Sequence, residues 1–328
     1  PDLWAGMQQA VKSGQLEIEG AMWVEPDANI VSGESMVRQI MMGRKFHQDE
    51  FGVTPRCVWL PDTFGYSANM PQILDKSGLD YFITSKLSWN DTDQHPFDTF
   101  FWRGIDGTDT KAHLLVAQDF ESDEIFTTYN SDLSASQVMG AWKRFEPKAV
   151  ASDLALCYGW GDGGGGPTRE MIARAARFER GIPGAPKVAL GGLGPFLDRM
   201  GAAMTVDAAR YPRWHGELYL QFHRGTLTTI GKTKASNRKA ERLMREVEFL
   251  AALAATKGAA YPYADLDRMW KTVLINQFHD ILPGTSIAEV YEDTFGEYEA
   301  LFAEIEGAGG PIAKAAAALG DGARVVNF

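Results

Sequence analysis

Strand-like and helix-like patterns alternate up to about Arg180, and strand signals nearly vanish after about Lys232; this order limits the available folds more than any other feature. Leu3 to Ser13 reads as a short amphipathic helix stopped by Gly14, Leu16 to Val24 as a strand, and Glu34 to Phe51 as a helix with Ser32 as N-cap. Arg56 to Leu60 reads as a buried strand, Met70 to Lys76 as a helix ended by Gly78, and Tyr81 to Thr84 as a strand. Thr99 to Ile105 and Lys111 to Ala117 are spaced as a hairpin around Gly107. Ser134 to Phe145 is helical and Leu154 to Tyr158 a strand. A glycine run then leads into a helix over Pro167 to Arg180, where a proline just inside the start gives up an N–H that the helix does not need. Such alternation predicts an α/β fold with a mainly parallel sheet and covering helices.

The pattern changes near Trp214. Asn237 to Thr256, Asp265 to Ile281 and Ile287 to Ile305 read as helices joined by short Pro/Gly turns, the second with Trp270, Val273, Leu274, Gln277, Phe278 and Ile281 on one stripe. Three such helices suggest a small bundle, followed by Ala- and Gly-rich sequence up to about Asp321. A length of 328 residues allows one large domain or two. The net charge of −11 argues against a nucleic-acid surface, which needs a basic stripe. No apolar run is long enough to span a bilayer, and no signal peptide opens the chain. Cys57 and Cys157 sit in apolar runs and read as buried free thiols. Pro1 at the start and a strand-like Arg324 to Phe328 at the end read as cut ends.

Chemistry concentrates in three distant segments: Trp59-Leu-Pro-Asp62-Thr-Phe-Gly-Tyr-Ser67, Gly159-Trp-Gly-Asp162-Gly-Gly-Gly-Gly-Pro-Thr168 and Asn276-Gln-Phe-His279-Asp280-Ile-Leu-Pro-Gly284. In parallel α/β folds, functional side chains gather at the carboxyl ends of strands. Asp62 follows one expected strand and Asp162 another; if those strands are neighbours, the two carboxylates share a crevice and can divide the work of glycoside hydrolysis. The plainer readings are an Asx-turn at Asp62 and a flexible loop at Asp162. A phosphate cradle in the glycine run is a weak rival, because the Gly-Lys-Ser/Thr ending is missing. His279, in the last turn of its expected helix, is a reasonable metal ligand because that end carries partial negative charge; a capping or core histidine is the plainer reading. His47-Gln-Asp49 reads as solvated surface.

Taken in order, these segments resemble glycoside hydrolase family 38, the α-mannosidases, and particularly its cytosolic, vacuolar and bacterial branch. Further stretches carry the resemblance: Gly20-Ala-Met-Trp-Val-Glu-Pro-Asp27, Ser32-Gly-Glu-Ser35, Gly216-Glu-Leu-Tyr-Leu220 and His223-Arg-Gly-Thr226. The resemblance implies a barrel-like catalytic domain over residues 1–217 without its first strand, a three-helix domain over 218–320, and the start of a β-rich region at 321–328. It implies a retaining α-mannosidase acting on terminal α-linked mannose in oligosaccharides; a cytoplasmic location and a homo-oligomer are separate expectations. Asp62 maps onto the nucleophile and a metal ligand, His279 onto a second ligand, and Phe64 and Asp280 onto sugar contacts. Asp162 is the candidate acid/base. Lys86 and Trp89 are candidate sugar contacts, against the plainer reading of a strand-end charge and a core aromatic. The metal is expected to be zinc, with cobalt as an alternative. The family draws two more ligands from an upstream His-x-Asp motif, so this stretch by itself is expected to bind zinc weakly in a calorimetric titration and to hydrolyse little. A metal-dependent deacetylase and a carbohydrate-binding remnant are the competing functions.

Overall fold

The computed structural model describes residues 2–124, 126–162 and 164–320; residues 321–328, expected to open a β region, lie outside the described residues. The chain divides into two compact units, Pro1–Glu25 with Ile40–Arg224, and Pro26–Gln39 with Gly225–Phe328.

The first unit is built on a five-stranded sheet of β1 (Cys57–Trp59), β2 (Tyr81–Thr84), β3 (Thr99–Arg103), β4 (Asp109–Leu114) and β5 (Arg213–His215) in the order β1-β2-β4-β3-β5. Only β3 and β4, the expected hairpin, pair antiparallel; the other pairings are parallel. Cys57, Val58, Phe82 and Ile83 are fully buried, as strands covered on both faces require. The parallel register, Trp59 with Ile83 and Thr84 with Leu114, brings the chain following β1, β2 and β4 to one edge of the sheet.

Around the sheet lie α1 (Asp2–Lys12), the later part of α2 (Gly33–Phe51), α3 (Met70–Lys76), α4 (Ala135–Arg144), α5 (Arg169–Glu179) and α6 (Leu193–Val206). Ser134 caps α4 by accepting the Gln137 N–H at 3.2 Å. Thr168 caps α5, which leaves Pro167 before the cap instead of inside the helix as expected. Helix α6 was not expected, because Gly194, Pro195 and Gly201 mask its helical pattern. Phe196, Leu197, Met200 and Met204 bury its inner face, and Gly201 faces the Tyr81 hydroxyl with no room for a Cβ.

Two expected strands do not form. Leu16 to Val24 joins no ladder and bends at Met22 to Val24, and Ala21 donates its N–H to the Cys57 carbonyl at 3.0 Å. Leu154 to Tyr158 makes a single parallel bridge, Ser131 with Tyr158. Alternating apolar residues express a preference for extended backbone, but a ladder needs a partner on the hydrogen-bonding side. Here the two segments flank a cavity of about 900 Å³ whose lining includes Glu19, Met22, Glu25, Trp59, Leu154 and Leu156. His47 also lines it. Its ring is half-buried against Phe46 and Phe51, and burial lowers its pKa, so the reading of solvated surface is corrected for His47 and holds for the exposed Gln48 and Asp49.

The second unit holds α7 (Gly231–Ala255), α8 (Tyr263–Ile275), α9 (Ala288–Glu306) and α10 (Pro311–Leu319), together with the first turns of α2. Ser32 caps α2 as expected, accepting the Ser35 N–H at 3.1 Å. The expected three helices are four among the described residues, because the Ala-rich tract forms α10 with Pro311 in its first turn. Helix α8 stops at Ile275, short of the expected Ile281. Beyond it the Gln277 carbonyl accepts the Asp27 N–H at 2.8 Å, and Phe278 bridges to Pro26. His279 therefore lies in a turn after the helix, so the argument from the helix's last turn does not apply to it. No described helix is long and apolar enough to cross a membrane.

Candidate active site

Asp62 stands in the turn that leaves β1. Leu60 stays in register by donating to the Ile83 carbonyl at 2.9 Å, and Ser85 donates to the Pro61 carbonyl at 2.9 Å. Beneath them the Tyr66 hydroxyl, fully buried, meets the Leu60 and Thr63 carbonyls at 2.9 and 3.0 Å and the Thr84 hydroxyl at 2.6 Å. An Asx-turn would use the Asp62 carboxylate to accept nearby backbone N–H groups. Instead Glu25 accepts the N–H groups of Asp62 and Thr63, at 2.6 and 3.0 Å. The Asp62 carboxylate is thereby left to other side chains. One oxygen pairs with Lys86 Nζ at 2.7 Å, and the other accepts from the Tyr129 hydroxyl. The side chains of Lys86 and Asp62 are only 12% and 16% exposed, so the pair is little screened.

Asp162 reaches the same phenol from the glycine loop. The Tyr129 hydroxyl lies 2.7 Å from an Asp162 carboxyl oxygen. The loop is closed at its base by reciprocal 2.8 Å bonds between Trp160 and Gly166. Asp162 has φ of 52°, a left-handed conformation that costs energy for any residue except glycine and marks a position held by its surroundings. Gly161 lets the loop approach: a Cβ there would come 2.8 Å from Asn130 Oδ1 and 2.9 Å from Tyr129 Cε2. Burial, and then both carboxyl groups, raise the Tyr129 pKa above the ordinary phenol range, so the hydroxyl keeps its hydrogen. Sequence reasoning missed Tyr129. It is a loop residue 67 positions from Asp62, and no local spacing distinguishes it.

The remaining predicted residues of this unit surround the pair. Lys86 opens a one-turn helix, Lys86–Trp89, directly after β2. Its ammonium sits 4.2 Å from the centre of the Trp89 ring, a cation–π contact. Trp89 Nε1 donates to the Thr127 carbonyl at 3.0 Å, which fixes the ring. Phe64, 9% exposed, stacks on His223 at 4.7 Å. Trp89, Phe126, Phe222 and His223 continue the aromatic wall.

His279 and Asp280 belong to the second unit, on the turn after α8. Gln277 anchors that turn from inside, its amide donating to Ser35 Oγ and Asn237 Oδ1 at 2.9 Å each and to Glu241 at 3.2 Å. Asp280 receives the Thr285 hydroxyl at 2.6 Å, and its carbonyl accepts from Ser286 Oγ at 2.9 Å and Tyr291 at 3.2 Å. His279 is 6% exposed, with its Nε2 3.8 Å from the Asp280 carboxylate. Asp27 is buried in the same unit; burial raises its pKa, against the N–H groups of Ile30 and Asn29 and the charges of Lys234 and His279. Among the described residues no group of three or more His, Cys, Asp or Glu side chains could hold a metal ion. Both Asp62 oxygens already have donors as partners. The described residues therefore do not by themselves fit a complete zinc centre, which takes three or four protein ligands.

The carboxyl pair sits in a chain with known relatives. Residues 1–217 match the glycosyl hydrolases family 38 N-terminal domain, and residues 221–315 match the alpha mannosidase middle domain. The chain belongs to glycosyl hydrolase family 38. Within the family it is 38% identical to alpha-mannosidase 2C1 of Mus musculus over 97% of this chain and 29% of that protein. It is 38% identical to the alpha-mannosidase of Saccharomyces cerevisiae over 86% of this chain and 26% of that one. The chain thus spans under a third of these relatives' own length. A solved family 38 relative, an alpha-mannosidase from Enterococcus faecalis V583, shares the fold with a TM-score of 0.75 at 22% identity, over 95% of this chain and 35% of that one.

Proposed function

We propose that this chain carries the two-carboxyl machinery of a retaining α-mannosidase, with Asp62 as nucleophile and Asp162 as acid/base. The observation that carries this reading is the shared phenol. One oxygen atom within hydrogen-bond reach of both carboxyl groups keeps their nearest oxygens no more than about 5.5 Å apart, the span of two hydrogen bonds end to end. Retaining glycosidases hold the pair about 5–5.5 Å apart, whereas inverting ones need about 6.5–9.5 Å to admit a water.

The chemistry follows from that spacing. A carboxylate oxygen of Asp62 attacks the anomeric carbon as the glycosidic bond breaks, and Asp162 gives its proton to the departing oxygen. Asp162 then takes a proton from water, whose oxygen displaces the Asp62 ester and releases mannose with its configuration retained. Lys86, paired with Asp62 and lying over Trp89, acts on the nucleophile. Phe64 and Trp89 offer aromatic faces to the apolar side of a sugar ring. Zinc or cobalt, with Asp62 as one ligand, belongs to the same proposal. The steps above use only this chain's carboxyl groups. Family membership and the carboxyl spacing favour glycoside hydrolysis over the deacetylase and binding-only alternatives.

The test is product stereochemistry. Proton NMR of an aryl α-mannoside digest by the full-length protein should show the α-anomer first, with the β-anomer growing in only by mutarotation. Initial release of the β-anomer would refute the double displacement.

A further inference from the structure

Three segments of the first unit carry a row of aromatic rings away from the carboxyl pair, and polar bonds pin each segment beside its ring. Trp89 ends the one-turn helix that Lys86 opens, and the Lys86 ammonium stands 4.2 Å from its ring centre and 2.7 Å from Asp62. Phe126 follows 5.3 Å from Trp89, tilted by 40°, and Phe222 lies 5.8 Å from Phe126, tilted by 49°. Next to Phe126, Thr127 meets Ser88 Oγ through its N–H at 3.0 Å and its hydroxyl at 2.7 Å. Next to Phe222, Gln221 donates its N–H to Asn90 Oδ1 at 2.8 Å, and Asn90 Nδ2 donates to the Tyr219 carbonyl at 2.9 Å. These anchors, Ser88, Asn90, Thr127 and Gln221, are all buried, whereas Phe222 at the end of the row is 48% exposed. A single exposed apolar side chain is ordinary. A half-exposed ring that continues a row from a carboxyl pair, held there by buried polar bonds, has the form of a binding face.

Building on the proposed function, we propose that Phe126 and Phe222 form a leaving-group subsite, a platform for the sugar from which the terminal mannose is cut. The terminal mannose lies against Asp62 and Asp162, so a sugar held further along the row belongs to the leaving group. The segment from Phe126 to Tyr129 joins the platform to the carboxyl group that serves that leaving group. Phe126 stands at one end of it, and at the other the Tyr129 hydroxyl lies 2.7 Å from Asp162. The ligand is a pyranose, whose carbon–hydrogen bonds on one face pack against the flat side of an aromatic ring while its hydroxyls stay in water. Half-exposure of Phe222 suits that contact, because only one face of the sugar needs to be covered. The subsite therefore favours an oligosaccharide over a mannoside whose leaving group is too small to reach the platform.

The test compares Phe222→Ala, Phe222→Leu and Phe222→Trp in the full-length protein on two substrates. One is α-mannosyl fluoride, whose leaving group is a single atom; the other is an α-linked mannobiose, in whichever linkage the parent cleaves fastest. The readout is kcat/KM on mannobiose divided by kcat/KM on the fluoride, a ratio that cancels any loss of folded protein. It should fall about tenfold in Phe222→Ala, the low end of what one apolar contact contributes to substrate discrimination. It should fall nearly as far in Phe222→Leu, which keeps apolar volume but has no flat face, and Phe222→Trp should keep or raise it. An unchanged ratio in Phe222→Ala, or a ratio kept by Leu as fully as by Trp, would overturn the subsite while leaving the mannosidase reading intact. A parent protein that turns over neither substrate would overturn that reading, and the subsite with it.

Discussion

Replacing Asp62 by Asn should lower kcat for α-mannoside hydrolysis by about ten-thousandfold or more, the scale on which removal of an enzyme nucleophile is felt. The amide is nearly the same shape and still offers an oxygen to Lys86 or Tyr129. What it lacks is the charge and nucleophilicity needed to form a glycosyl ester. The turn itself should survive, because its backbone is held by Glu25, Ser85 and Tyr66 and not by the Asp62 side chain. Lys86 loses an anionic partner but keeps the face of Trp89 at 4.2 Å. The thermal midpoint should consequently fall by only a few degrees, equivalent to about 1–2 kcal/mol. Steady-state kinetics beside thermal unfolding make the measurement. An Asp62→Asn variant that keeps a tenth of the parental rate would remove Asp62 from the chemistry.

The second large effect is expected at Asp162. Asp162→Ala should reduce kcat/KM by about 10²–10⁴-fold on a substrate with a poor leaving group. Azide should then restore turnover on an activated substrate, because a small anion can attack the Asp62 ester without a general base. The product should be α-mannosyl azide, formed with retention. The left-handed φ of 52° at this position gives the substitution a further effect, since alanine tolerates that conformation poorly and the loop relaxes away from Tyr129. Azide rescue distinguishes the two contributions, as a displaced loop alone gives azide no special advantage. A variant that loses activity but yields no mannosyl azide would argue against an acid/base role for Asp162.

Much of the frame that positions Asp62 was legible in the sequence. Helix Met70–Lys76 and strand Tyr81–Thr84 lie where their patterns placed them, the helix followed by Gly78 at φ 69°. Both are set by local chemistry: a Pro in the first turn, a glycine stop, and a fully buried strand. The failures are of another kind. Leu16 to Val24 and Leu154 to Tyr158 have strand composition, but pairing depends on a partner that composition does not supply. For His279, the apolar stripe through Ile281 hid the end of α8, because Gln277 turns its amide into a buried cluster with Ser35, Asn237 and Glu241 that no periodicity announces. Tyr129 was invisible for a related reason. Its role is created by Gly161 and Asp62, which meet it only in three dimensions.

The most direct test of the shared work of Asp62 and Asp162 is to stop the reaction halfway. The full-length protein is incubated with a fluorinated mannosyl fluoride, whose ring fluorine slows hydrolysis of the ester more than its formation, and then digested and analysed by mass spectrometry. Double displacement predicts one added fluoromannosyl group, on the peptide containing Asp62 and attached to that carboxylate. A label on a different residue, or slow turnover of the reagent with no covalent adduct at all, would contradict it.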